Sequence, residues 1–250
     1  MKTFWKLAVL VVAVVACESK KKEVTATDGA KDRTKTRVVT AKYADGTVRA
    51  EISYLGDEKH GLAKSYDQKG KLTLELNYVR GKREGVSKKY YEGGKQVYQT
   101  TEYKNDNIHG LQRKYREDGA LLSEARFIDG QPCQGLKEYL LDGTEKKKYP
   151  EIVIKQIDRL QAQGFYRIEV SMSAKVGKVR YYRGKLSREG CITDQLEPLL
   201  LDRTERVGIY EYDLPPGGFF MEELNIVAQV ETLFGNAYIV QRSIPIAIQN

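Results

Sequence analysis

A period of about twenty-four residues constrains this chain more than any other feature. Glycines recur at Gly46, Gly70, Gly94, Gly119 and Gly143, and a second series runs through Gly61, Gly85, Gly110 and Gly135. Aromatic residues keep phase with both: Tyr54, Tyr78, Tyr103 and Phe127 form one set, and Tyr66, Tyr90 and Tyr115 another. Several registers held together over some hundred residues mark a repeat architecture, in which each unit buries its apolar face only by stacking on its neighbours.

Each unit reads as a β-hairpin. Val48, Ala50, Ile52 and Tyr54 alternate with polar residues, as do Leu72, Leu74, Leu76 and Tyr78; Leu121, Ser123, Ala125 and Phe127 repeat the pattern more weakly. Period-two alternation predicts strands with one buried face. Asp45-Gly46, Asp118-Gly119 and Asp142-Gly143 are hairpin-turn pairs, in which both residues tolerate positive φ. Loops such as residues 56–61 would close the other end. Successive hairpins then pair into a long single-layer sheet, with in-phase tyrosines supplying its core through cross-strand pairs.

These units resemble MORN repeats, in the bacterial variant often found in the YwqK family. The resemblance rests on Tyr-x-x-x-Gly at Tyr66/Gly70, Tyr90/Gly94 and Tyr115/Gly119 and on the pairs His60-Gly61 and His109-Gly110. It covers residues 43–149, about four units and a partial fifth. The fourth unit departs from the pattern, because Gly135 precedes Tyr139 by four residues rather than five. The resemblance implies the fold. It also brings an alternative role, since bacterial members are commonly labelled antitoxins.

The amino terminus reads as an address. Lys2 and Lys6 precede an unbroken apolar run over residues 7–16. Ten helical residues span roughly 15 Å, half of the ~30 Å hydrocarbon core of a bilayer, which suits a cleaved signal rather than a permanent span. The run ends in Val14-Val15-Ala16-Cys17, which resembles the lipobox of bacterial lipoproteins. That resemblance implies cleavage before Cys17, a diacylglyceryl group on its thiol and a further acyl chain such as palmitate on the new amino group. Several chains on one residue suffice for stable anchoring.

Residues 18–37 hold seven basic and four acidic residues with almost no large apolar ones, the composition of a flexible tether. The organisation expected is therefore a signal peptide (1–16), a lipidated cysteine and tether (17–37), MORN-like repeats (38–149) and a second domain (150–250). The formal charge of +8 falls to +6 once the signal is removed.

From Pro150 the period stops. Val153, Ile157 and Leu160 predict a short helix over residues 151–163, ending at Gly164. Alternation at Tyr166, Ile168, Val170 and Met172, and at Leu224, Ile226, Ala228 and Val230, predicts strands, and Gly235-Asn236 the turn of a terminal hairpin. Six or seven short strands suggest a small β-sandwich. The fold class is all-β, with an elongated hairpin-repeat sheet followed by that sandwich, whose loops 183–195 and 213–219 are the first places to look for binding.

Chemistry-bearing motifs are sparse. His60 and His109 share one repeat phase, with two hairpins between them, some 20 Å at about 4.8 Å per strand and too far to share a metal. Cys133 and Cys191 either form a bridge in an oxidising compartment or remain two thiols. Lys64, Lys88 and Arg113 each follow a second-series glycine by three residues and would line up as a ladder of cations near 10 Å apart, interleaved with Tyr66, Tyr90 and Tyr115. Such a ladder could grip anionic headgroups, polyanionic glycans or nucleic acid. Glu138 breaks it in the fourth unit, and Glu51, Glu75 and Glu124 could neutralise it from a neighbouring phase. A solvated charged face is favoured over any such grip, and no nucleic-acid partner is favoured.

These observations favour a lipid-anchored protein of the bacterial cell envelope acting as a non-catalytic protein-binding or scaffolding module, with no cofactor and no metal. A toxin-neutralising protein is one alternative. An envelope enzyme using Asp194, Asp202, Arg203 and Glu205 is another.

Overall fold

The computed structural model describes residues 35–250, so the signal run, Cys17 and most of the tether lie outside the described residues. The repeat region contains β1 (Thr36–Lys42), β2 (Val48–Leu55), β3 (Glu58–Tyr66), β4 (Leu72–Val79), β5 (Lys82–Arg83), β6 (Gly85–Tyr90), β7 (Val97–Lys104), β8 (Asn107–Tyr115), β9 (Leu121–Ile128), β10 (Gln131–Pro132) and β11 (Lys137–Glu138). They form one antiparallel sheet in the order β1-β2-β3-β4-β6-β7-β8-β9-β10, with β5 paired to β4 and β11 to β9. Neighbours in sequence are neighbours in space, as a repeat of hairpins requires.

Two kinds of turn alternate. At the first glycine series the glycine N–H donates to the carbonyl three residues back, Gly46 to Tyr43, Gly70 to Asp67, Gly119 to Arg116 and Gly143 to Leu140, at 2.9–3.1 Å. At the Asp-Gly pairs only the glycine takes positive φ, although both residues tolerate it. The aspartate instead accepts from the backbone two residues on: Asp45 Oδ1 from Thr47 N, Asp118 Oδ1 from Ala120 N and Asp142 Oδ1 from Thr144 N, each 2.9 Å. The bond from Thr47 N holds the Asp45 carboxyl below the usual range, and the bonds from Thr144 Oγ1, at 2.7 Å, and then Thr144 N do the same for Asp142. Two-residue turns with positive φ at both positions lie at the other end, at Arg80-Gly81, Asn105-Asp106 and Asp129-Gly130. The second-series glycines Gly61, Gly85 and Gly110 sit inside β3, β6 and β8 rather than in loops.

Gly94 is the one first-series glycine whose added Cβ would strike backbone, at 2.6 Å from Leu72 N, with φ at +72. Gly94→Ala is expected to cost at least about 2 kcal/mol in strain and displacement. Gly93→Ala, open to solvent at φ +107, should cost less. Urea midpoints of the two variants check the difference.

The repeat sheet has no tyrosine-stacked core. Tyr54, Tyr78 and Tyr103 each lie half-buried under a cation from a neighbouring strand: Arg37 at 5.0 Å, Lys59 at 5.1 Å and Arg83 at 4.4 Å from the ring centroids. A single layer leaves these rings one wet side, and the cation–π contact uses it.

The remaining strands are β12 (Ile152–Arg159), β13 (Phe165–Met172), β14 (Val179–Arg183), β15 (Glu197–Pro198), β16 (Leu200–Asp202), β17 (Val207–Tyr212), β18 (Phe219–Glu231) and β19 (Ala237–Gln249). Two four-stranded sheets, β12-β13-β17-β16 and β15-β14-β18-β19, share a core of Ile152, Ile168, Val170, Tyr181, Leu224, Ile226 and Ile246. This is the sandwich that the sequence suggests.

The helix expected over residues 151–163 is absent except for α1 (Leu160–Gln163), closed by Gly164 in the left-handed region. Residues 152–159 instead pair along their whole length with β13. Ile152 is buried and Val153 is exposed. The local period-two pattern, backed by tertiary pairing, overrides the three-to-four spacing of Val153, Ile157 and Leu160.

Candidate functional site

Register decides what the ladder cations meet. Residues opposite one another in an antiparallel sheet share a face. One row runs Glu51, Lys64, Glu75, Lys88, Thr100, Arg113, Glu124, Lys137 across successive strands. Lys64, Lys88 and Arg113 therefore do line up, with Glu75 between the first two, Thr100 between Lys88 and Arg113, and Glu124 beyond Arg113. Lys64 Nζ is 3.9 Å from Glu75, and Arg113 donates to Glu124 at 2.7 Å and reaches Glu102 at 3.7 Å. Lys88 is exposed beside Thr100.

The tyrosines join the same row. Tyr66 donates to Glu51 and Tyr90 to Glu75, both at 2.7 Å. Thr100 stands where the corresponding glutamate of Tyr115 would be. The Tyr66 hydroxyl is pushed up to about 12, chiefly by its bond to Glu51, and that of Tyr90 to about 12 by burial and then by Glu75. An unfolded tyrosine titrates near 10. Above pH 10 the unfolded chain therefore releases protons that the folded chain retains, so stability is fully present below pH 10 and falls through pH 12. The Tyr66→Phe, Tyr90→Phe double variant should show a shallower fall in urea midpoint between about pH 10 and pH 12. An unchanged profile would contradict the assignment.

The fourth unit continues the ladder instead of breaking it. Lys137, not Glu138, stands opposite Glu124. The one-residue shortening between Gly135 and Tyr139 moves each following side chain to the other face. Glu138 thereby faces Ser123 and is 1% exposed. There it accepts from Thr232 Oγ1 at 2.6 Å and Asn236 Nδ2 at 2.9 Å, and pairs with Lys146 at 3.1 Å. Lys114, also buried, donates to the carbonyls of Phe234 and Gly235 at 2.7 and 3.1 Å. Burial lowers the Lys114 ammonium, and Glu138 opposes that shift. The tip of the β18–β19 hairpin is thus seated on one face of the last repeats. The four-residue spacing was the available sequence signal for this junction; its partners, about a hundred residues away, gave none.

Farther along that face the side chains become aliphatic. Beyond Lys89 and Gln99, the row of Lys114 and Ser123 continues through Leu74, Ser65, Ala50 and Ala41, and Val39, Ile52, Ala63 and Leu76 fall in the row of Thr101 and Ala125. Val39 is exposed, while Ala50, Ile52, Leu74 and Leu76 are half-exposed.

Other expected sites resolve as follows. Cys133 and Cys191 form a disulfide. Gln134 N donates to the Gly190 carbonyl at 2.8 Å, so the loop around residues 187–191 attaches to the end of the repeat sheet. It is not wholly open for binding. His109 Nδ1 contacts Asp129 at 3.0 Å, and His60 Nδ1 accepts from Arg80 N at 3.5 Å. Asp202 Oδ1 accepts from the backbone of Thr204 and Glu205 in a turn. Among the described residues no group of three His, Cys, Asp or Glu could hold a metal ion, and no helix is long and apolar enough to cross a membrane.

A family described as a MORN repeat variant matches residues 59–80, which span the β3–β4 pair and its turn. No curated protein and no solved structure matches the chain. The match supports the MORN reading of the hairpins, and MORN repeats are compatible with a protein- or membrane-binding repeat module.

Proposed function

We propose that this chain is a lipid-anchored envelope protein whose repeat sheet is a non-catalytic docking surface for a partner protein. The observation that carries the reading is the divided face of the sheet. Its polar end, at Lys114, Ser123 and Glu138, already holds the chain's own hairpin tip. Its aliphatic end, at Ile52 and Leu76, is half-exposed, a surface on which a partner removes apolar area from water. The opposite face, where Lys64 and Arg113 are already paired with carboxylates, is less suited to gripping a polyanion.

The Cys133–Cys191 disulfide supports a location outside a reducing cytosol, and the Ala16-Cys17 junction supports anchoring by lipid. Cys17→Ser is expected to abolish incorporation of labelled fatty acid and release the protein from membranes. Unchanged retention would overturn the anchor.

Photo-crosslinking residues placed at Ile52 or Leu76 in cells should give one discrete protein adduct, and the same residues at Lys64 or Lys88 none. Leu76→Glu should remove the adduct while the protein still accumulates in folded form. Adducts only from Lys64 and Lys88, or from neither face, would overturn the assignment.

A further inference from the structure

A cavity of 530 Å3 opens where the chain passes from the repeat sheet into the sandwich. Its volume lies in the range of about 300–1,000 Å3 usual for small-molecule sites. Tyr149 and Tyr238 form one wall, their rings stacked at 4.7 Å and 18°, and Lys146 Nζ lies 4.4 Å from the Tyr149 ring centroid, so Tyr149 is already covered and Tyr238 carries the wall. Leu233 sits at the rim, wholly exposed to solvent. Burial raises both tyrosine hydroxyls above their ordinary range, Tyr149 to about 12, so this wall carries no charge near neutrality.

The polar lining is strongly one-sided. Lys146, Lys175 and Lys178 face a single carboxylate, Glu231. Two of the cations are committed, Lys146 to Glu138 at 3.1 Å and Lys178 to Glu231 at 3.1 Å. Lys175 is exposed and makes no ion pair among the described residues. The site therefore offers a flat apolar wall, an apolar side chain with nothing yet to cover, and one uncommitted positive charge.

We propose that this cavity binds a small organic monoanion, an aryl or alkyl carboxylate, with its apolar body against Tyr238 and Leu233 and its carboxylate at Lys175. A polyanion is disfavoured because the other two lysines already hold carboxylates. A cation is disfavoured by the excess of lysines at the rim. This site is independent of the aliphatic face of the repeat sheet.

The test is calorimetric titration of naphthoate and of octanoate into the full lipidated chain in lipid nanodiscs, with empty nanodiscs as the blank. Saturable binding at one site is expected for at least one acid, and none for naphthylmethylammonium. Lys175→Glu should weaken binding by about tenfold or more. Tyr238→Ala should abolish it, and Lys64→Glu on the repeat sheet should leave it unchanged. Because Tyr238 also packs against the sandwich core, Leu233→Glu at the exposed rim provides a second variant that cannot act through folding, and it should also weaken binding. The proposal is overturned by no saturable binding of either acid, by equal binding of the ammonium analogue, or by affinity indifferent to Lys175→Glu and Leu233→Glu.

Discussion

Replacing Cys133 and Cys191 together by alanine is expected to lower the unfolding free energy by about 4 kcal/mol. The two residues lie 58 apart in sequence, and their bond closes a loop running from the end of the repeat sheet through β12, β13 and β14 of the sandwich. A cross-link over a loop of that length restricts the unfolded chain strongly, and the loss rises with the logarithm of loop length. Both residues are buried, so alanine is the replacement that adds no unsatisfied polar group. Guanidinium denaturation should show a lowered midpoint for the double variant. Reductant should lower the unaltered chain to the same midpoint and leave the variant unmoved. A loss under about 1 kcal/mol would mean that the non-covalent junction alone carries the attachment.

Glu138→Ala is expected to cost about 2–4 kcal/mol, because it removes a buried acceptor of several hydrogen bonds while its ion-pair partner Lys146, 35% exposed, keeps access to water. Glu138 is 1% exposed and serves Thr232, Asn236 and Lys146 together. Removing it strands the Thr232 hydroxyl and the Asn236 amide and takes away the charge that offsets the desolvation of Lys114. Glu138→Gln keeps an acceptor for Thr232 and Asn236 but loses the ion pair, so it should fall between the parent and the alanine variant. Protease cutting after the hairpin tip, near Leu233 and Phe234, should rise in the same order, because the tip is held by these bonds. Equal stability of the parent and Glu138→Ala would remove the junction from any account of the fold.

These two expectations concern the part of the molecule least visible in the sequence. The hairpins were legible because their signals are local: Val48 to Tyr54 and Leu72 to Tyr78 alternate with period two, and each glycine of the first series closes a turn within four residues. The short spacing from Gly135 to Tyr139 was legible as an irregularity, but not as a slip that carries Lys137 into the ladder and Glu138 into a buried knot. The ladder residues Lys64, Lys88 and Arg113 were found in line, while the interleaving of Glu75 and Glu124 with them depended on strand register. Residues 152–159 satisfied two periodicities at once, and their pairing with β13 chose between them.

The sequence by itself determined the all-β class and the repeat with its period, because turn chemistry and side-chain alternation act over a few residues. Only the tertiary structure decided that Cys133 meets Cys191, that Glu138 and Lys114 are buried under the β18–β19 tip, and that Tyr149 stacks on Tyr238 beside a cavity. Each of these joins residues 58 or more apart, where no propensity or period speaks. Such contacts follow from how one end of a single-layer sheet finds cover, which is a property of packing rather than of any segment of the chain.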